Sequence, residues 1–309
     1  MKAVQKIPLP ISGVALAVAS LGNLLLPHGD ILYVVCGILS AFLLSLFIVR
    51  IVFDTKNVKE DLKNPVMLSV FPTSTMATML LLVYIEPFIG AIAVFLWYAA
   101  LLCHVSIMIL FFKRFIIKPK LENVFPTWFV ACVGIIVASV TSPAMGAVAL
   151  GQVIFIAGFI TYMIILPIVI YRRIKLPKAP EPTLPTVAIF TAPMNLSVVG
   201  YLSVFDQPVM PFLYTMLIAS FILYIYATIK VFILVFITRL KFYPSFAALT
   251  FPYVITATAY SRANELLLSE GYNFCAVVAD ISKWLAVVVV IYVLIRYAIY
   301  FATINRTSK

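Results

Sequence analysis

The chain has 309 residues, of which 64% are hydrophobic and 11% charged, with a mean hydropathy of +1.14 and a net charge of +11. Water-soluble domains are about 25% charged, so this composition excludes one and calls for a polytopic membrane protein. The length has room for roughly ten spans of about 20 residues with short loops, read as a single transmembrane domain over residues 1–309.

The apolar runs and their breaks predict ten helices, at about 8–26, 31–53, 65–85, 88–112, 125–142, 145–171, 183–203, 209–238, 245–268 and 275–303. The first follows Lys2 and Lys6, as a signal peptide would. No small-x-small cleavage site precedes Pro27 and further spans follow, so it reads as the first membrane helix. A barrel strand needs only about ten residues of strict alternation; these runs are too long and too uniformly apolar, which makes the fold class all-α.

The loops alternate in charge. One set carries Arg50, Lys56, Lys59 and Lys63, then Lys113, Arg114, Lys118 and Lys120, then Arg172, Arg173, Lys175 and Lys178, then Arg239 and Lys241. The other set, Pro27 to Asp30, Glu86-Pro87, Ser142-Pro143, Phe205 to Pro208 and Ser269 to Asn273, holds no Lys or Arg. Cytoplasmic loops concentrate basic residues, so both termini are expected in the cytoplasm, with the chain in the cell's inner (plasma) membrane. The same rule accounts for the net charge, and no nucleic-acid partner is expected.

The odd-numbered helices share prolines flanked by hydroxyl residues: Pro8-Leu9-Pro10-Ile11-Ser12, Phe71-Pro72-Thr73-Ser74-Thr75, Phe125-Pro126-Thr127-Trp128, Thr191-Ala192-Pro193 and Thr250-Phe251-Pro252. Proline inside a helix removes a backbone hydrogen bond. In a bilayer that loss is tolerated where protein or a watery cavity satisfies the backbone. Pro10, Pro72, Pro126, Pro193 and Pro252 are therefore expected to kink helices that face a pathway. The even helices largely lack interior proline, Pro167 apart. The alternation predicts five helical hairpins in a quasi-fivefold ring around a central pore, odd helices inside and even helices against lipid.

No nucleophile elbow, phosphate loop or histidine cluster occurs, so an enzyme, a metal site and a cofactor are not expected. Cys36, Cys103, Cys132 and Cys275 lie singly in apolar segments and read as small apolar residues; His28 and His104 read as structural. Ser12, Thr73, Ser74, Thr127, Asn195, Thr250, Thr256 and Thr258 are expected to line the pathway. A pathway without buried carboxylates suits an anion, and helix breaks can direct partial positive charge at it. Arg262 and Glu265, three apart in the outer half of helix nine, read either as a charge at the outer mouth or as a pair locking helix nine to helix ten. Asp280 and Lys283 repeat that spacing on helix ten, while Lys230 and Arg296 lie nearer the cytoplasmic side.

On Pro8-Leu9-Pro10 with Gly13, Phe125-Pro126-Thr127-Trp128, Ala192-Pro193, and Ser245-Phe246 leading to Thr250-Phe251-Pro252, the chain resembles the tellurite-resistance/dicarboxylate transporter family, which includes bacterial TehA-type proteins, fungal malate permease and plant slow-type anion channels. The likeness runs over nearly the whole chain. It implies a ring of helical hairpins, a homotrimer with one pore per protomer, and an aromatic pore gate that falls on Phe251. Bacterial members often have glycine after that phenylalanine, where this chain has Pro252 as in the plant branch. Regulatory tails of the plant kind are not expected.

Three functions follow. The first is a passive channel or uniporter for small inorganic anions. The second is a proton-coupled carrier of C4-dicarboxylates such as malate, with Glu265 or Asp280 as its proton acceptor. The third, a structural or sensory protein without transport, fits the polar odd helices poorly. Tellurite resistance would be a consequence of transport.

Overall fold

Apolar runs in a bilayer must satisfy their backbone internally, and helices do so. The computed structural model describes residues 4–176, 178–273 and 275–306; Lys2 lies outside them. Among the described residues every regular element is helical, and eight helices are long and apolar enough to cross a membrane: Ile11–His28, Asp30–Phe53, Pro65–Ile89, Ala91–Ile116, Val148–Lys175, Glu181–Val204, Met210–Ile237 and Ala276–Thr303. They occupy the predicted positions one to four, six to eight and ten; the word segment, with its number, denotes each predicted position below.

Segments five and nine are helical but depart from a simple span. Segment five consists of two six-residue helices, Trp128–Val133 and Ile136–Thr141. At the break the Gly134 N–H is shared between the carbonyls of Phe129 and Val130, each at 3.2 Å. A Cβ on Gly134 would stand 2.8 Å from the Met76 sulfur, so the bare backbone lets segment three approach. Segment nine is a tight 3-10 stretch, Pro244–Leu249, followed by a 20-residue α-helix, Thr250–Ser269. It has the length to cross, but Thr256, Thr258, Arg262, Asn264 and Glu265 lower its hydropathy.

The five prolines expected to kink helices stand at or just before the starts of α-helical stretches. Pro10 and Pro72 immediately precede Ile11–Leu25 and Thr73–Ile89. Pro126 lies two residues before Trp128–Val133. Pro193 and Pro252 fall in the first turns of Ala192–Val204 and Thr250–Ser269. The first turn of an α-helix has no use for the missing N–H, so proline is accommodated there. Three of these α-helices continue from a shorter helix: Pro65–Val70, the 3-10 stretch Glu181–Thr191, and Pro244–Leu249.

Neighbours in sequence pack as pairs: one with two, three with four, five with six, seven with eight, nine with ten. Four of these turns pass through glycines at positive φ, namely Gly29, Gly90, Gly146 and Gly271, a conformation that a side chain disfavours. The odd segments also pack on one another, one on three, three on five, five on seven, seven on nine and nine on one. Burial follows the same division. The apolar stretches of segments one, three and seven are 78%, 61% and 89% buried, against 22% to 33% for segments two, four, six, eight and ten.

Lipid supplies no hydrophobic drive between helices, so close packing and hydrogen bonds hold them together. Segment one is buried along Gly13, Ala15, Ala17, Ala19 and Gly22. The Tyr84 ring lies so close that a Cβ on Gly37 would stand 2.7 Å from it, and its hydroxyl donates to the Ala19 carbonyl at 2.5 Å. Ser40 donates to the Ala15 carbonyl at 2.7 Å, and Trp97 Nε1 to Thr141 Oγ1 at 2.8 Å. His104, fully buried, bonds Thr75 at 2.8 Å through Nδ1 and so ties segment four to segment three.

Candidate functional site

A cavity of about 460 Å³ lies among the five odd segments, and every one of them contributes to its wall. It begins at the end of the molecule that carries the basic loops, where Asn64, Glu122, Asn123, Pro182 and Ser245 form the rim. Along each segment its last lining residue comes near the middle: Leu16, Met76, Gly134, Leu196 and Pro252. Beyond that level the inner segments close on one another, with Ala17, Ala77, Val137, Val198 and Ala257 at most 1% exposed.

The wall follows a period of three. Pro10, Gly13 and Leu16 line it, as do Met67, Val70, Thr73 and Met76; then Thr183, Thr186, Ile189 and Ala192; then Ser245, Ala248 and Phe251. In a 3-10 helix residues i and i+3 stand on one side, which is why the tight stretches Glu181–Thr191 and Pro244–Leu249 present every third residue. The surface is mainly apolar, and among the described residues Glu122, at the rim, is the single acidic one lining it.

Of the eight polar residues expected on the pathway, Thr73 lines this cavity. The others bond within the helix bundle. Ser12 pairs with Thr73 at 2.7 Å, and Thr127 accepts from Ser69 at 2.7 Å. Ser74 donates to the Phe71 carbonyl at 2.8 Å and Thr258 to the Val254 carbonyl at 2.9 Å. Thr250 donates to the Ala247 carbonyl at 2.7 Å. Asn195 Nδ2 donates to Thr256 Oγ1 at 2.9 Å, and Thr256 in turn to the Pro252 carbonyl at 2.7 Å. Among the five prolines, Pro10, Pro193 and Pro252 reach the cavity. Phe251 lies at its inner end, 8% exposed.

The charges of segments nine and ten lie away from the cavity wall. Arg262 donates from Nη1 to Ser203 Oγ at 2.7 Å, joining segment nine to the end of segment seven. Glu265 is exposed, and no ion pair links it to Arg262 among the described residues. Lys283 and Asp280 do pair, at 3.3 Å, on the exposed side of segment ten. At the basic end Lys241 lies over the Tyr243 ring, 5.2 Å from its centroid. The Tyr243 hydroxyl beside it raises the lysine's pKa above the ordinary value, so Lys241 stays charged.

The apolar lining residues Leu16, Met76, Ile189 and Leu196 were not anticipated from the sequence. For two of them the signal is a period of three counted from a proline, Pro10 to Leu16 and Pro193 to Leu196; Met76 and Ile189 stand four residues after Pro72 and Pro185.

Comparison with known proteins bears on the whole arrangement. The chain is 31% identical over 180 residues to an uncharacterized transporter of Methanocaldococcus jannaschii, an alignment covering 53% of this chain. The aligned stretch is 52% of that relative, so the chain spans about half the length of the curated relative it matches. A family described as voltage-dependent anion channel, SLAC1, matches residues 6–298. With helical pairs along the chain, odd segments buried within and a cavity among them, this multi-pass membrane protein belongs to the voltage-dependent anion channel family.

Proposed function

We propose that the chain is a passive anion channel or uniporter, its ten segments forming five hairpins in a quasi-fivefold ring around one pore. The observation that carries this reading is the cavity to which all five odd segments contribute, with its only acid at the rim. A cation pathway would want carboxylates along its wall. The odd helices run away from the basic end, so the positive halves of their dipoles surround the cavity. That field is weaker than at a bare helix start, because tight turns already use the first N–H groups, as in Ile11 to Pro8 and Trp128 to Phe125. A weak, distributed field lets an anion enter without trapping it.

Phe251 is the gate in this reading. Its position at the inner end of the cavity supports the role, because a phenyl ring there narrows the path where an ion sheds water. The basic end is the cytoplasmic side, both termini are cytoplasmic, and the membrane is the plasma membrane, on the rule that places basic loops inside. The homotrimer comes from the family likeness. The exposed apolar faces of the even segments, such as Phe95 and Ile222, suit lipid and neighbouring copies alike.

The proton-coupled dicarboxylate carrier would need an ionisable group on the pathway. Glu265 and Asp280 are both exposed and neither lines the cavity, which favours the channel. The test is planar-bilayer recording of the purified protein with chloride, nitrate and malate in turn, beside proton uptake in liposomes. Current that follows the anion gradient without a pH gradient is the expected result. Malate-stimulated proton uptake without such current would establish the carrier instead.

A further inference from the structure

A second, smaller cavity of about 100 Å³ lies at the basic end, between the ends of segments six and eight and the 3-10 start of segment seven. Arg172, Arg173 and Lys230 line it together with Phe125, Thr183 and Thr186, and no Asp or Glu is among its lining residues. The sequence placed Arg172 in a basic loop. The structure makes it the end of the helix Val148–Lys175 and leaves it 5% exposed. Its Nε is buried with no hydrogen-bond partner, and no carboxylate pairs with it among the described residues.

A buried cation without a counter-charge is costly. The Phe125 ring, 4.8 Å from the guanidinium carbon, compensates it in part. An acceptor of opposite charge would complete it. Lys230, a second basic residue and partly exposed, lines the same small space. The guanidinium fork matches the paired oxygens of an oxyanion. The cavity, at about 100 Å³, has the volume of roughly three waters at about 30 Å³ each, which is the scale of a phosphate group.

We propose that Arg172 and Lys230 form a binding site for a phosphate-class oxyanion, set to the side of the central cavity. The phosphate can belong to the headgroup of an anionic lipid, which basic pockets between membrane helices bind, or to a free ion, which offers the guanidinium the same oxygens. The site shares Phe125, Thr183 and Thr186 with the wall of the larger cavity, so its occupant braces the entrance of the pathway without lying in it.

The test is calorimetric titration of the full-length protein in an uncharged detergent, with inorganic phosphate in one arm and short-chain phosphatidylglycerol in the other. Short-chain phosphatidylcholine serves as the zwitterionic control. Saturable binding of phosphate assigns a free ion; binding of phosphatidylglycerol alone assigns a headgroup. In either case Arg172→Gln abolishes it, Lys230→Gln weakens it by about tenfold or more, and Arg172→Lys falls between, because charge remains and the fork is lost. Should Arg172→Gln fail to fold, Lys230→Gln decides, since its partly exposed side chain can be replaced without burying an orphan group. Absence of saturable binding in both arms overturns the proposal. So does binding that the folded variants leave within about twofold of the native value, which would locate the anion in the central cavity.

Discussion

Asn195 Nδ2 donates to Thr256 Oγ1 across the contact between segments seven and nine, at 2.9 Å, with both side chains fully buried. Thr256 passes its own proton to the Pro252 carbonyl at 2.7 Å, and Thr191 Oγ1 donates to the same carbonyl at 3.0 Å. The residue that follows Phe251 is thus held by two hydroxyls from two helices. Replacing Thr256 with Val keeps the shape and leaves the Asn195 amide short of an acceptor. The expected loss is about 1–3 kcal/mol for each of Thr256→Val and Asn195→Ala, and the double variant should lose less than their sum. Unfolding of the purified proteins in detergent measures this cycle; additive losses would show that the contact contributes nothing.

Phe251 to alanine separates a plug from a packing residue. The side chain lines a cavity that already exists, so its removal widens the path. The expected result is normal yield with larger anion current per molecule in single-channel recording. A purely structural phenylalanine would cost about 3–5 kcal/mol on truncation, lowering yield with current per molecule unchanged.

Arg262 holds Ser203 and carries a charge, and two substitutions divide those roles. Arg262→Gln keeps a donor and removes the charge; Ser203→Ala keeps the charge and removes the partner. If the charge concentrates anions, Arg262→Gln lowers conductance at about 0.01 M salt, where the screening length is about 30 Å, and not at 1 M, where it is about 3 Å. Ser203→Ala should lower thermal stability and leave the salt dependence alone. Conductance ratios between the two salts give the answer, and equal ratios for all three proteins would take Arg262 out of conduction.

Loop charge predicts sidedness. Asn57, in the first basic loop, and Asp206, in the turn without Lys or Arg between segments seven and eight, are both exposed. In spheroplasts, a membrane-impermeant thiol reagent should label Asp206→Cys and spare Asn57→Cys until the membrane is opened. The opposite order would invert the molecule.

Much of the architecture is legible in the chain. Hydropathy located the helices, and proline marked most of the turns between partners. Proline and hydroxyl residues on alternate segments told which would be buried: segment seven at 89%, segment eight at 22%. These are local properties, because burial in a bilayer is decided by what a side chain can offer lipid or protein. Tertiary structure decided where the hydroxyls and the charges point. Ser12 and Thr127 could have faced a lumen, but partners at 2.7 Å on neighbouring segments hold them. Leu16 and Met76 face the cavity because a 3-10 or newly begun α-turn sets a period of three that composition does not reveal. Proline alone could not say whether a helix bends or begins, since that depends on whether a preceding tight turn, such as Pro244–Leu249, finds its own hydrogen bonds. Arg172 reads as one more loop cation until segments six, seven and eight close around it, and only their packing makes it a buried charge without a counter-ion.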